Sequence, residues 1–294
     1  MSTSDPHSDP ALARDVVVRF GDRVALDRVT LHAQPGWVTA VVGGDGAGKS
    51  TLLRALVGRI PVHSGTVRTP ARERIGYLPA SEGSWRGLTV RQNLEFVGGS
   101  YGLVTSDIAR RADELLASTG LGSFADRPAS QLSGGMRRKL GVCMAMLHDP
   151  ELLVLDEPST GVDPVSRVDL WQLAARAAAG GTTVVMSTTY LDEAERARHV
   201  VVLDQGRALA SGAPDQIVAD VPGVITREAA AVRPEWAWRR GRTFRELWLD
   251  VTPPATAATI APDLEDAVIA RALAGSAGSG DAGADGLIGE GTPR

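Results

Sequence analysis

The stretch 43–51, GGDGAGKST, constrains this chain more than any other. It has the form Gly-x4-Gly-Lys-Ser, and its flanks supply the context such a loop needs. WVTAVV at 37–42 reads as a short buried strand, and KSTLLRALVGRI places Leu52, Leu53, Leu56 and Val57 at helical spacing. A glycine loop between a strand and a helix lets backbone N–H groups wrap a phosphate closely, and the helix N-terminus adds a favourable dipole. Of the 31 basic residues only Lys49 and Lys139 are lysine. Lysine suits position 49 because a compact point charge fits a tight loop better than the broad arginine fork. Ser50 is the expected Mg²⁺ ligand.

A second feature, an acidic one, lies about a hundred residues on. In LLVLDEP, 152–158, an apolar run of the kind a central parallel strand carries ends abruptly in Asp156 and Glu157. Acids at the carboxyl end of such a strand sit where open α/β sheets bind ligands. By itself this is more often a solvated strand end. With the glycine loop upstream, Asp156 is expected on the Mg²⁺ side, through water, and Glu157 on the attacking water.

The intervening and following segments define the organisation. VVVRFGDRVALDRVTLHA reads as paired strands, and 88–150 is mostly helical, with TVRQNLEFV, SDIARRADELLAST and GMRRKLGVCMAML carrying apolar residues three and four apart. ELLVLDEP, DPVSRVDLWQLAARAAAG and TTVVMSTT give strand, helix, strand, hence a parallel βαβ unit with a right-handed crossover. HVVVLDQGRALASG looks like a closing hairpin. The expected divisions are a loose polar leader at 1–13, a main domain at 14–220 with a helical insert at about 81–150, a small packed appendage at 221–272 holding Trp236, Trp238 and Trp248, and a disordered Gly/Ala/Ser/Asp tail at 273–294.

Composition narrows the function classes. A net charge of -4 and a pI near 5.8 lack the basic footprint of a nucleic-acid binder. One cysteine, Cys143, excludes an intrachain disulfide and a cysteine-rich metal site, and its helical face is apolar, as expected of a core residue. No run reaches the roughly 18 apolar residues of a spanning helix, so a membrane role would run through a partner.

LSGGM at 132–136 opens a helix whose apolar face includes Leu140, Met144 and Leu147. Arg137, Arg138 and Lys139 fall in its first turns, where cations oppose the dipole and a nearby anion would relieve them. Alone, this is a serine cap with a basic face. Together with the other motifs, the chain resembles, over roughly 14–220, the nucleotide-binding subunit of an ATP-binding cassette (ABC) transporter. Gly43, Gly44, Asp45, Gly46, Ala47, Gly48, Lys49, Ser50 and Thr51 resemble the Walker A loop, LLVLDEP the Walker B strand, and LSGGM the signature motif. STGVDP, 159–164, with Asp163, is similar to the D-loop, and Phe20 falls where such subunits stack an aromatic on adenine.

The resemblance implies an α/β cassette: a parallel-sheet core carrying the P-loop, an N-terminal antiparallel β part and a helical subdomain insert. It implies a head-to-tail dimer with a second cassette, identical or not, in which Ser133, Gly134 and Gly135 face the γ-phosphate of the nucleotide held by the other chain. ATP and Mg²⁺ would be bound, and the cycle would drive export by a membrane permease subunit at the cytoplasmic face of the cell membrane, with no nucleic acid involved. SEGSWRGLTVRQNLEFVGGSYGL and DLEDAVIARALAG resemble exporter-type cassettes. Two positions depart from the family pattern. Ala80 stands where a glutamine is usual, with Ser81 and Glu82 not expected to replace it, and Thr189 stands where a histidine is common. A threonine hydroxyl hydrogen-bonds phosphate without carrying positive charge. Slow but real hydrolysis is expected because Glu157 is retained. The alternatives are a regulatory cassette that binds ATP without turnover, and a soluble non-transport ABC ATPase.

Overall fold

The computed structural model describes residues 12–81, 83–249 and 251–279. Most of the expected leader, Glu82 and residues 280–294 lie outside them. The chain opens with β1 (Leu12–Phe20) and β2 (Arg23–His32), an antiparallel pair, so ordered strand begins inside the stretch expected to be leader. β3 (Val38–Val42) leads through the glycine loop into α1 (Lys49–Leu56). β4 (Ser64–Arg68) then pairs with β1, giving a three-stranded antiparallel sheet ordered β2-β1-β4.

After β5 (Ile75–Leu78) come three helices: α2 (Val90–Ser100), α3 (Thr105–Thr119) and α4 (Gly134–Met146). Thr89 and Gln92 form a reciprocal capping box that fixes the start of α2. Leu94, Leu116, Leu121, Leu140, Cys143 and Leu147 make a separate core for this insert. The opposite side of α4 contributes Val142 and Ala145 to the main core, so α4 belongs to insert and sheet alike.

β6 (Leu152–Leu155), α5 (Pro164–Ala179), β7 (Thr183–Thr188), the short α6 (Leu191–Ala194), β8 (His199–Asp204) and β9 (Arg207–Gly212) complete a six-stranded sheet in the order β5-β6-β7-β3-β8-β9. Its first five strands are parallel, and β9 closes it as an antiparallel hairpin with β8. Every residue of β3, β6 and β7 is buried. This is why these strands are mostly apolar rather than alternating: helices and the β1 sheet cover both faces. Asp163 caps α5 by accepting from the amides of Val165 and Ser166, with Pro164 in the first turn.

Beyond α7 (Pro214–Ala219), the appendage is a four-stranded antiparallel sheet ordered β11-β12-β10-β13, built from β10 (Val224–Glu228), β11 (Ala237–Arg240), β12 (Thr243–Trp248) and β13 (Ala258–Thr259). The closing helix α8 (Leu264–Ser279) runs several residues past 273, so the first part of the expected disordered tail is helical. Leu264 and Ala267 of α8 pack into the main core, while Ala270 packs with Ile225, Trp238 and Leu247 of the small sheet. A long alanine-rich helix with two apolar faces does what the composition of 264–275 permits: it serves two cores at once.

Candidate nucleotide site

The glycine loop runs from the end of β3 to the first turn of α1. At Gly48 the backbone is left-handed, φ 106°, and a Cβ would lie 2.8 Å from the Leu26 side chain, so only glycine fits there. Gly43 is held by close approach: a Cβ would meet the Leu203 carbonyl at 2.3 Å. Asp45 and Gly46 form the exposed tip, Ala47 is buried beneath it, and Gly44 and Thr51 are partly buried. No side chain caps α1 and no acid sits in its first turn. Its N-terminal amides are therefore left to an outside anion.

Lys49 is 5% exposed, and its Nζ donates to the carbonyls of Gly43 (2.8 Å) and Gly44 (3.0 Å). It also lies 3.2 Å from Glu157 Oε1. The neighbouring Ser50 Oγ donates to Asp156 Oδ1 at 2.9 Å, and Ser187 Oγ donates to the same oxygen at 2.8 Å. Asp156 is fully buried, and its other oxygen, Oδ2, has no hydrogen-bond partner. A buried carboxylate oxygen without a donor is costly unless a cation or an ordered water serves it. The donor set of hydroxyl and carboxylate oxygens suits a hard cation such as Mg²⁺. Among the described residues no cluster of three or more His, Cys, Asp or Glu offers a rival metal site.

Glu157 follows at the end of β6 with a left-handed backbone, φ 49°. For a residue with a Cβ this conformation is strained and persists only when its surroundings hold it. Its amide donates to Ser187 Oγ, its carbonyl accepts from Arg138, and its Oε2 accepts from Thr160 Oγ1. Ser187 thus serves both acids. Sequence reasoning missed it because it lies one strand over, 31 residues away from Asp156.

The remaining expected residues fall around this centre. Phe20 ends β1 at the tip of the hairpin and is 54% exposed, so it is no strand core residue. Thr189 is exposed just beyond β7. Beside it, buried Glu193 accepts from Thr188 Oγ1, Ser159 Oγ and Arg167 Nε, and Arg167 stacks on Tyr190. This network, which joins β7, α5 and the 159–164 stretch, had no local signature. Ser133 caps α4 by accepting from the Met136 amide, and Ser133 and Gly134 are exposed. Gly135 is buried against Ser166 and Asp163. The hydrogen bonds of Asp163 with the α5 amides, the Ser166 amide above all, hold its carboxyl below the usual range.

The basic cluster after LSGGM is not left waiting for an anion, which corrects the expectation from sequence. Arg138 is buried and donates to four main-chain carbonyls, Lys139 pairs with Asp169, and Arg137 donates to the Leu132 carbonyl. Carbonyl oxygens of neighbouring loops and an acid of α5 offset the unfavourable dipole. Cys143 is buried as expected, and burial pushes its thiol up to about 12.

The chain is similar to known proteins in sequence and in fold. The family model described as ABC transporter matches residues 26–160. The Nod factor export ATP-binding protein I of Cupriavidus metallidurans is 38% identical over 216 residues, 70% of this chain and 71% of that protein. The daunorubicin resistance ATP-binding protein DrrA3 of Streptomyces coeruleorubidus is 40% identical over 226 residues, 72% of each. A solved structure of an ATP-binding subunit of an ABC transporter superposes with a TM-score of 0.66 at 27% identity, covering 71% of this chain and 92% of that one.

Proposed function

The chain belongs to the ABC transporter family as an ATP-binding cassette, and from that premise we propose that it binds MgATP between two cassettes and uses hydrolysis to power export by a membrane permease. The direction follows the likeness to relatives named for Nod factor export and daunorubicin resistance. Among the described residues no helix is long and apolar enough to cross a membrane, which accords with attachment through a partner at the cytoplasmic face. Exposed Trp85 and Phe96, in edge-to-face contact on the insert, are a suitable surface for that partner.

The observation that carries the reading is the unpaired Oδ2 of Asp156 beside Ser50, one residue from the phosphate-binding Lys49. In this proposal the amides of 44–51 and Lys49 Nζ hold the β- and γ-phosphates, and Phe20 stacks on adenine. Ser50 Oγ and Asp156 Oδ2 would hold Mg²⁺, which when bound neutralises charge developing on the phosphates. Glu157 leaves Lys49 as phosphate enters, and its carboxylate orients and polarises the attacking water. The exposed Ser133 and Gly134, with the amide of the buried Gly135 behind them at the start of α4, would cover the nucleotide of the other chain, with Asp163 at the same junction. Thr189 donates a neutral hydrogen bond toward the γ-phosphate.

Ala80 leaves out the polar group usual at its position, and Thr189 puts a neutral hydroxyl where a histidine is common. Loss of one such contact costs on the order of 10² in turnover, so the proposed rate is slow. The direct test is hydrolysis of MgATP by the full chain and by Glu157→Gln. A wild-type rate clearly above that of the variant is expected, and equal rates would defeat the catalytic reading.

A further inference from the structure

Arg138 stands apart from the motifs that a phosphate site requires, yet it is the most heavily bonded basic side chain near it. It sits in the second turn of α4, 8% exposed, five residues after Ser133. Its Nη1 donates to the carbonyls of Pro79 (3.0 Å) and Ser81 (2.9 Å). Its Nη2 donates to the carbonyls of Ala80 (2.6 Å) and Glu157 (3.0 Å). One planar cation thus grips three successive peptide units leaving β5 and the peptide unit of Glu157.

The consequence at Glu157 is mechanical. Its left-handed backbone is held from both sides, the amide by Ser187 and the carbonyl by Arg138. A strained residue keeps its geometry only while such restraints persist. The 79–81 segment has no side chain that reaches the site at Ala80. Arg138 supplies in its place a rigid connection through the main chain. Guanidinium geometry permits this, because its donors point in fixed directions within a plane, whereas an ammonium offers one flexible point.

We propose that Arg138 is a positioning residue that couples the 79–81 segment and the signature helix α4 to Glu157, so that a shift of either segment is passed to the carboxylate acting on water. This rests on the catalytic reading of Glu157 made above. Arg138 touches neither nucleotide nor water in this account and acts only through the Glu157 backbone.

The test uses the full chain and three variants, Arg138→Met, Arg138→Lys and Glu157→Gln, with kcat and KM for MgATP and separate equilibrium binding of a fluorescent ATP analogue. Arg138→Met is expected to retain nucleotide affinity and KM within about two-fold while kcat falls about 10²-fold, the scale of a misplaced reacting group. Arg138→Lys, which satisfies some of the four carbonyls, is expected to recover kcat partly at unchanged KM. An unchanged kcat in Arg138→Met, or kcat and affinity falling together with no recovery in Arg138→Lys, overturns the proposal. Should Arg138→Met not fold, Arg138→Lys carries the test, with a several-fold lower kcat expected and wild-type kcat overturning it.

Amide exchange gives a readout independent of turnover. In Glu157→Gln with MgATP, exchange is expected to slow together in peptides covering 75–81 and 152–160. Introducing Arg138→Lys into that background is expected to uncouple them, leaving 75–81 unprotected. Protection of both peptides in the double variant overturns the coupling. If Glu157→Gln hydrolyses ATP as fast as wild type, the catalytic reading of Glu157 fails, whatever Arg138 does.

Discussion

Glu157 Oε1 lies 3.2 Å from Lys49 Nζ, so the acid expected to work on water and the base expected to grip phosphate neutralise one another. Lys49 is nearly fully buried and Glu157 largely so, and a pair so placed is weakly screened by salt. An incoming triphosphate must displace the carboxylate from the ammonium. Glu157→Gln removes that competition. The variant is expected to bind MgATP about 3- to 10-fold more tightly than wild type while losing turnover, because a neutral amide holds the lysine less strongly than a carboxylate. Equilibrium titration with and without Mg²⁺ checks this, and equal or weaker binding would show that the ion pair does not oppose phosphate.

Thr189 gives a prediction of gain. Thr189→His places a donor that can also carry charge where an exposed hydroxyl now stands. At saturating MgATP and pH near 7, kcat is expected to rise about 10-fold or more, within the range of a single charge-stabilising donor. No rise would mean that the position is not aimed at the γ-phosphate.

Ser187 ties both acids, accepting from the Glu157 amide and donating to Asp156 Oδ1. Ser187→Ala leaves the partly buried Glu157 amide unpaired and removes one donor from a fully buried carboxylate. A stability loss of about 1–3 kcal/mol is expected from the orphaned groups, together with a fall in kcat. Thermal melting and steady-state rates measured side by side decide it; a variant as stable and as active as wild type contradicts the assignment.

His148 stacks on Tyr101 with ring centroids 3.7 Å apart, and burial holds its pKa below the ordinary 6.5, with the Arg111 charge adding to the effect. The unfolded chain therefore takes up a proton near pH 6.5 that the folded chain refuses. The stability this histidine contributes is present above pH 6.5 and is lost as pH falls through the lower folded value. His148→Phe is expected to flatten the decline in melting temperature below pH 6.5 relative to wild type. An unchanged slope would place the acid sensitivity elsewhere.

The parts legible in the sequence were those whose chemistry is local. Gly48, Lys49 and Ser50 announce themselves within one loop, and the apolar run ending at Asp156 announces a buried strand with an acid at its end. Ser187, Glu193 and Arg138 were not legible, because each acts on residues brought near only by strand order: Arg138 reaches carbonyls 57 to 59 residues back. The basic cluster pointed to an anion by its charges alone, and only the fold reveals the carbonyls that hold it. The four-stranded C-terminal sheet was hidden for a related reason. Its strands interleave arginines with apolar residues, and Arg240 and Arg245 find their acids, Asp263, Glu265 and Asp266, only where α8 crosses. Helix α8 is legible in kind from DLEDAVIARALAG, and the structure carries it on into the glycine- and serine-bearing residues that follow.

That α8 presses Leu264 and Ala267 into one core and Ala270 into another has a practical meaning for anyone trimming this chain. Cutting after α7 would not liberate a tidy minimal engine. It would strip a lid from greasy flooring around Val200, Val202 and Ile217, and the shortened product is expected to stick to itself.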